Sequence, residues 1–155
     1  TNINKFSIIY APGHTLDHVV LCDHENNLLF VGDVLFRLGC GRVFEGTLEQ
    51  MQNSLLKLFN LSDGMLVYCG HEYTLNNLKF LEYIFKKNKI LKSVKNTIIT
   101  ELNSKKRSIP FHLGDEKKCN PFLNQNCEMA LELRSKNNYS DLEFFRYLRE
   151  EKDSF

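Results

Sequence analysis

The sequence has almost no surplus of charge: twenty Lys and Arg stand against nineteen Asp and Glu, a formal net charge of +1 over 155 residues. That balance argues against bulk attraction to nucleic acid or an anionic membrane, so any recognition of charge has to be local. The five cysteines (Cys22, Cys40, Cys69, Cys119, Cys127) are odd in number and form no CxxC pair. A disulfide framework is therefore not expected, and free thiols in a reducing compartment are. No apolar run approaches the ~18 residues of a membrane span, and the first residues lack a charged-then-apolar leader pattern. The expectation is a soluble, cytoplasmic chain, with a mitochondrial location left open. The glycine-rich stretch Gly39-Cys40-Gly41-Arg42 lacks the lysine and hydroxyl of a phosphate-binding loop. Internal repeats and low-complexity segments are also missing.

What is present is α/β punctuation followed by helix. Phe6–Tyr10 reads as a strand of central type, although only Thr1–Lys5 precede it. His18–Asp23 and Leu28–Val31, joined by the polar turn at residues 24–27, read as a hairpin. Thr47 and Gln50 have capping-box spacing, and Met51, Leu55, Leu58 and Phe59 share a helix face that should end near Ser62-Asp63-Gly64. Met65–Cys69 is a further buried strand, and Thr74 opens a helix with Leu75, Leu78, Leu81 and Phe85 on its apolar stripe. Past Lys86 the composition turns to lysine and asparagine, but Leu91, Val94, Ile98 and Leu102 keep helical spacing. A loop with Pro110, Gly114 and Pro121 follows. Two helices close the chain, one around Cys127–Ser135 and one from Ser140, capped by Glu143, to about Lys152. The reading is an α/β part over residues 1–86 and a small all-α domain over 87–155.

Three strand ends carry side chains able to ligate a metal: Pro12-Gly13-His14, Gly32-Asp33 and Gly70-His71. Neighbouring strands that stop at one sheet edge would gather two imidazoles and a carboxylate, a ligand set common for zinc, iron or manganese. Each taken singly has an ordinary explanation, since turn histidines are mostly hydrogen-bonding residues and strand-end aspartates often cap turns. His14 and His18 have the i, i+4 spacing of a helical zinc pair, but Pro12-Gly13 before them and Val19-Val20-Leu21 after them argue against a helix. His24 and His112 read as surface residues, and Cys69 as a small core residue before a thiolate ligand. The run Arg149-Glu150-Glu151-Lys152 reads by itself as a solvated helix face.

Taken together, HTLDH (14–18), FVGDVLFRLGCGRVFEGT (30–47), YCGHEYTLNNLKF (68–80), Asn120-Pro121-Phe122 and the closing REEKD (149–153) resemble glyoxalase II, the hydroxyacylglutathione hydrolases of the metallo-β-lactamase superfamily. The likeness runs from about Ile8 to Phe155. It implies the second half of an αββα sandwich followed by the helical domain. It also implies two divalent metal ions, zinc first, with iron or manganese as alternatives. His14 would serve one ion, His71 the other, and Asp33 would bridge them. The implied reaction is hydrolysis of glutathione thioesters such as S-lactoylglutathione, the second step of methylglyoxal detoxification, by a hydroxide held between two cations. Arg42, Phe44, Tyr73, Asn77, Arg149 and Lys152 would line the site for the glutathione part, and arginine grips carboxylates through paired hydrogen bonds. A persulfide dioxygenase-type relative shares the GCGR loop but normally lacks the GHEYT block and the helical tail, and ranks second.

The resemblance also shows departures. Arg42 stands where the family often has lysine, Phe44 where it has tyrosine, and Asp17 where HTxGH has glycine. The family signature THxHxDH, which supplies most of the remaining ligands, does not occur in these residues. The expectation is that the chain needs the N-terminal half of the domain to work, and that by itself it exposes a large apolar sheet face. The alternative is a truncated, non-catalytic protein that binds glutathione or a partner chain through its helices.

Overall fold

The computed structural model describes residues 6–86 and 88–155; the Thr1–Lys5 stretch lies outside the described residues. In chain order the elements are β1 (Ser7–Tyr10), β2 (Val19–Asp23), β3 (Leu28–Gly32), the short β4 (Leu35–Phe36) and β5 (Gly39–Cys40), α1 (Leu48–Phe59), β6 (Leu66–Cys69) and α2 (Thr74–Ile84). Then come α3 (Lys89–Lys105), β7 (Phe111–His112), α4 (Leu113–Cys119), α5 (Glu128–Lys136) and α6 (Asp141–Ser154). The architecture is α/β followed by a helical domain.

The main sheet has the order β1-β2-β3-β6-β7. β1, β2 and β3 are joined antiparallel, and β3 runs parallel to β6. Among the described residues β1 lies at an edge of this sheet, not at its centre as its apolar run implied. The helical part returns one two-residue strand, β7, to the opposite edge, where Phe111 pairs with Val67. This strand and α4 fall where the sequence reading placed only a loop. The stretch is too short and too interrupted by Pro110 and Gly114 to show either period.

Alternation along the strands makes two faces of opposite fate. Val20, Cys22, Leu29, Val31 and Val67 point into one continuous core with Met51, Leu55 and Leu58 of α1 and Phe144, Phe145 and Leu148 of α6. On the other face Ile8 pairs with Leu21, Leu21 with Phe30, and Phe30 with Tyr68, so four apolar side chains run straight across four strands. Phe30 stacks on Tyr68 at 5.1 Å, and Ile8 is 69% exposed. The expected apolar face is present.

Caps behave as spacing dictates. Thr47–Gln50 and Ser140–Glu143 both form reciprocal capping boxes. In α2 the buried stripe is Thr74, Asn77, Leu78 and Leu81, while Leu75 is 47% exposed, contrary to the expectation that it joined the apolar stripe. Thr74 is held inward because its hydroxyl donates to Glu72 and accepts from Ser108. That network outweighs the greater hydrophobicity of its neighbour.

The open face makes a testable statement. The isolated 155-residue chain should bind a fluorescent apolar dye and self-associate, and Leu21→Lys, at the middle of the band, should reduce both. Equal dye binding and sedimentation for the two proteins would count against it.

Candidate functional site

The register puts the ends of β1, β3 and β6 and the start of β2 at one sheet edge, with Gly32 opposite Cys69 and Tyr10 opposite Val19. The three sequence-predicted ligands leave from that edge. His14 Nε2 stands 3.6 Å from Asp33 Oδ2, and His71 Nε2 stands 3.5 Å from Asp33 Oδ1. The two imidazoles thus face the two oxygens of one carboxylate.

Local structure fixes each group. The His14 loop is anchored to α1, where the Ser54 hydroxyl donates to Pro12 O at 2.7 Å. His14 Nδ1 lies 2.9 Å from Arg42 O, a carbonyl that can only accept, so the proton sits on Nδ1 and the Nε2 lone pair is left facing Asp33. Asp33 N–H donates to His18 Nε2 at 3.3 Å, and burial together with the neighbouring His14 lowers the pKa of His18. Asp17, the departure within HTLDH, accepts from the Thr15 hydroxyl at 2.9 Å and so braces the turn after His14. Glycines give the carboxylate its room. A Cβ on Gly70 would lie 2.4 Å from Asp33 Oδ1, and one on Gly41 would lie 1.9 Å from Asp33 O.

Asp33 Oδ1 is buried and, among the described residues, receives no hydrogen bond. An orphaned carboxylate oxygen costs about 1–3 kcal/mol or more if nothing positive meets it. The separations to the imidazoles are too long for hydrogen bonds but suit shared ligation, since ligands on one tetrahedral zinc stand about 3.4 Å apart for bonds of about 2.0–2.2 Å. Chemically the trio fits a carboxylate bridging two cations, with one imidazole beyond each. It provides two donors per ion, and among the described residues no group of three or more His, Cys, Asp or Glu gathers around a single point. Cys69 adds none: burial pushes its thiol up to about 11, and it donates to His71 O.

Beside this trio opens a cavity of about 650 Å³, and all nine residues singled out in the sequence line it. Cys40 and Gly41 of the glycine loop line it as well, as do Phe36, Asn76 and Phe155, which nothing in their spacing had marked. An aromatic ring backs each imidazole: Tyr73 stacks on His71 at 5.0 Å, and Phe44 packs on His14 at 5.1 Å. The latter contact needs only a ring, not the hydroxyl a tyrosine would bring. Arg42 and Arg149 share Asp153 at 3.6 and 2.8 Å, and Lys152 lies over the Phe80 ring at 4.8 Å. Three cations therefore face one aspartate in this corner. Burial, and next the Arg149 charge, lower the Lys152 pKa to about 8.

Two of the residues expected to touch ligand are also committed to the glycine loop. Arg149 is 4% exposed and donates to Cys40 O at 3.0 Å and Gly41 O at 3.4 Å; Asn77 Nδ2 donates to Arg37 O at 2.9 Å. The charge run at the end of the chain is thus split by the helix, with Arg149 and Lys152 turned inward and Glu150 exposed. Sequence reasoning missed Glu116 altogether and marked Asn120 only as part of the Asn120-Pro121-Phe122 motif, with no role on this loop.

An α/β sheet with ligand-type side chains at one edge, followed by helices that close a cationic cavity, defines a metallo-β-lactamase-like domain with an appended helical domain. Family models agree part by part: residues 3–71 match the metallo-beta-lactamase superfamily, and residues 72–155 match the hydroxyacylglutathione hydrolase C-terminus. The chain belongs to the hydroxyacylglutathione hydrolase family. It is 43% identical over 145 residues to the "Hydroxyacylglutathione hydrolase" of Bartonella tribocorum, covering 94% of this chain and 57% of that protein. The chain thus spans less than two thirds of that relative's length. In fold it is similar to ETHE1 from Myxococcus xanthus (22% identity, TM-score 0.50, 97% of this chain and 54% of that one) and to the BLEG-1 B3 metallo-beta-lactamase (23%, 0.50, 76% and 41%). At these identities the two structures speak for the fold alone. The match of the helical tail favours the hydrolase branch over the persulfide dioxygenase-type relative, and superfamily membership implies divalent metal ions.

Close approach at Gly41 is open to direct measurement. Gly41→Ala should destabilise the protein by about 1–3 kcal/mol or more through the clash with the Asp33 backbone. Gly64→Ala, whose Cβ would meet only the Ser62 hydroxyl at 3.8 Å, should cost far less. Equal urea midpoints for the two variants would contradict the packing described here.

Proposed function

We propose that this chain forms part of a metal-dependent hydrolase of glutathione thioesters, with S-lactoylglutathione as a substrate, and that its activity needs a polypeptide of its relatives' length. The single observation that carries the reading is the Asp33 carboxylate, faced by an imidazole on each oxygen at the mouth of a cationic cavity. Family membership supports the thioester chemistry, and the relatives' greater length together with the open apolar face supports the need for a further half-domain. Residues 1–86 are the metal-bearing part and 87–155 the substrate-binding part.

His14, Asp33 and His71 would hold two divalent ions, zinc first. Such ions, when bound, polarise a carbonyl and lower the pKa of water. The remaining tasks fall to this chain's own side chains. Arg42 O holds the proton on His14 Nδ1, which keeps Nε2 a donor of electrons to metal. Arg42, Arg149 and Lys152 offer positive charge to the carboxylates of a glutathione moiety, and Asp153 leaves that charge only partly neutralised. Tyr73 packs against the His71 ring and Phe44 against the His14 ring, which limits the orientations open to each imidazole. Asn77 and Arg149 work through the loop they hold as well as through the cavity they line.

Three outcomes are expected of the full-length protein. It should hydrolyse S-lactoylglutathione and lose that activity on chelation; a protein that fails to do so overturns the reading. Asp33→Ala should lose bound metal and turnover together, because one carboxylate serves both ions. Metal content measured by elemental analysis should fall with the rate, and full occupancy in the variant would speak against bridging. Finally, Lys152 carries its charge below its pKa of about 8 and loses it above. KM should therefore rise as pH passes 8 in the wild type and stay flatter in Lys152→Met.

A further inference from the structure

The loop between β4 and the cavity is held by side chains at successive backbone groups. Phe36 O and Gly39 O accept from Asn120 Nδ2 at 3.3 and 3.1 Å, and Arg37 O accepts from Asn77. Leu38 N–H donates to Glu116 Oε2 at 2.7 Å, Cys40 O and Gly41 O accept from Arg149, and Arg42 O accepts from His14. Two of these holders, Glu116 (2% exposed) and Asn120 (0%), line no part of the cavity and cannot touch a ligand there.

Their arrangement allows one orientation. Asn120 Oδ1 accepts from Phe122 N–H at 3.0 Å, so its amide nitrogen must face Phe36 O, Gly39 O and Glu116 Oε2, the last at 2.9 Å. Glu116 Oε2 thus accepts from two donors at once, both in the interior. The residue it holds, Leu38, is a fully buried leucine at φ +61, a left-handed conformation that side chains other than glycine adopt only under constraint. Without an acceptor at that point the turn loses what keeps Leu38 there. The displacement would pass along four residues to Arg42, whose side chain borders the cavity and whose carbonyl sets the His14 tautomer.

We propose that Glu116, with Asn120, is a positioning residue: it fixes the Leu38–Arg42 strap and through it the Arg42 side chain and the His14 imidazole. The effect on turnover rests on the thioesterase reading above; the effect on the strap does not. What matters is the acceptor oxygen, not the charge. Burial pushes the Glu116 carboxyl up to about 7, and Oε2 can accept in either protonation state.

The test uses the full-length protein and two substitutions. Glu116→Leu removes the acceptor, and Glu116→Gln keeps one amide oxygen that can take its place. Hydrogen exchange in the wild type should show the Leu38 amide as protected as the amides of β3, with protection lost in Glu116→Leu and kept in Glu116→Gln. With S-lactoylglutathione, Glu116→Leu should raise KM roughly tenfold, the scale of one lost buried hydrogen bond, while Glu116→Gln stays within about twofold. In an Arg42→Ala background the Glu116→Leu penalty on KM should shrink to about twofold or less, because the effect runs through Arg42. Penalties that multiply in the double variant would overturn the proposal. A Leu38 amide that exchanges rapidly in the wild type would do so as well, even if Glu116→Leu fails to fold. A wild type without thioesterase activity but with a protected Leu38, lost in Leu and retained in Gln, would refute the functional reading and keep the strap.

Discussion

A buried carboxylate oxygen without a donor is among the most expensive things a small domain can carry, and Asp33 Oδ1 is such an atom. Most of the nearby structure can be understood as the means of keeping it where it is. Gly70 and Gly41 are bare because a methyl group at either would strike Asp33. His18 takes the Asp33 amide proton, so the backbone cannot turn to relieve its own side chain. Two imidazoles stand off at 3.5 and 3.6 Å, too far to satisfy the carboxylate themselves. An oxygen that is neither solvated nor hydrogen-bonded by the described residues, with electron-pair donors beside it, fits the proposed binding of cations.

The second constraint is the irregular loop that closes over this carboxylate. Backbone that leaves a sheet must find partners for its polar groups, and here the partners come from helices: Asn77 of α2 in the α/β part, and the Glu116–Asn120 pair at α4 and Arg149 of α6 in the helical part. The helices therefore do more than offer a surface to ligand. They complete the loop beside Asp33, and the two parts share one continuous core and, through β7, one sheet.

Much of this was legible in the sequence. The strand ends at Pro12-Gly13, Gly32 and Gly70 and both capping boxes follow from period and punctuation, whereas the open apolar face and most of the nine residues that line one cavity were implied by the resemblance to glyoxalase II. What escaped depends on contacts distant in sequence. Glu116 is separated from Leu38 by 78 residues and Asn120 from Gly39 by 81, and although Asn120-Pro121-Phe122 is a motif, neither side chain has a local pattern that tells its partner. Leu75 and Thr74 exchanged places because the stripe was judged by hydrophobicity, whereas the Glu72–Thr74–Ser108 hydrogen bonds decided which side turned inward. The inward turn of Arg149 came from the resemblance alone, since a charge run on a helix ordinarily makes a solvated face.

Charge makes the same point at the scale of the molecule. A formal net charge of +1 argues against long-range attraction of any anion, and yet Arg42, Arg149 and Lys152 meet at one rim with Asp153 between them. The field there is short-ranged, screened within about 10 Å at ordinary salt, and acts only on a ligand that has already entered. Its cost falls on Lys152, which loses basicity to burial and to Arg149. A cation held below its ordinary pKa gains most from an incoming carboxylate, because binding restores the partner that folding withheld. Under the proposed function, preference for an anionic ligand thus rests on a destabilised Lys152 beside two arginines in a small space, which a neutral total both conceals and permits.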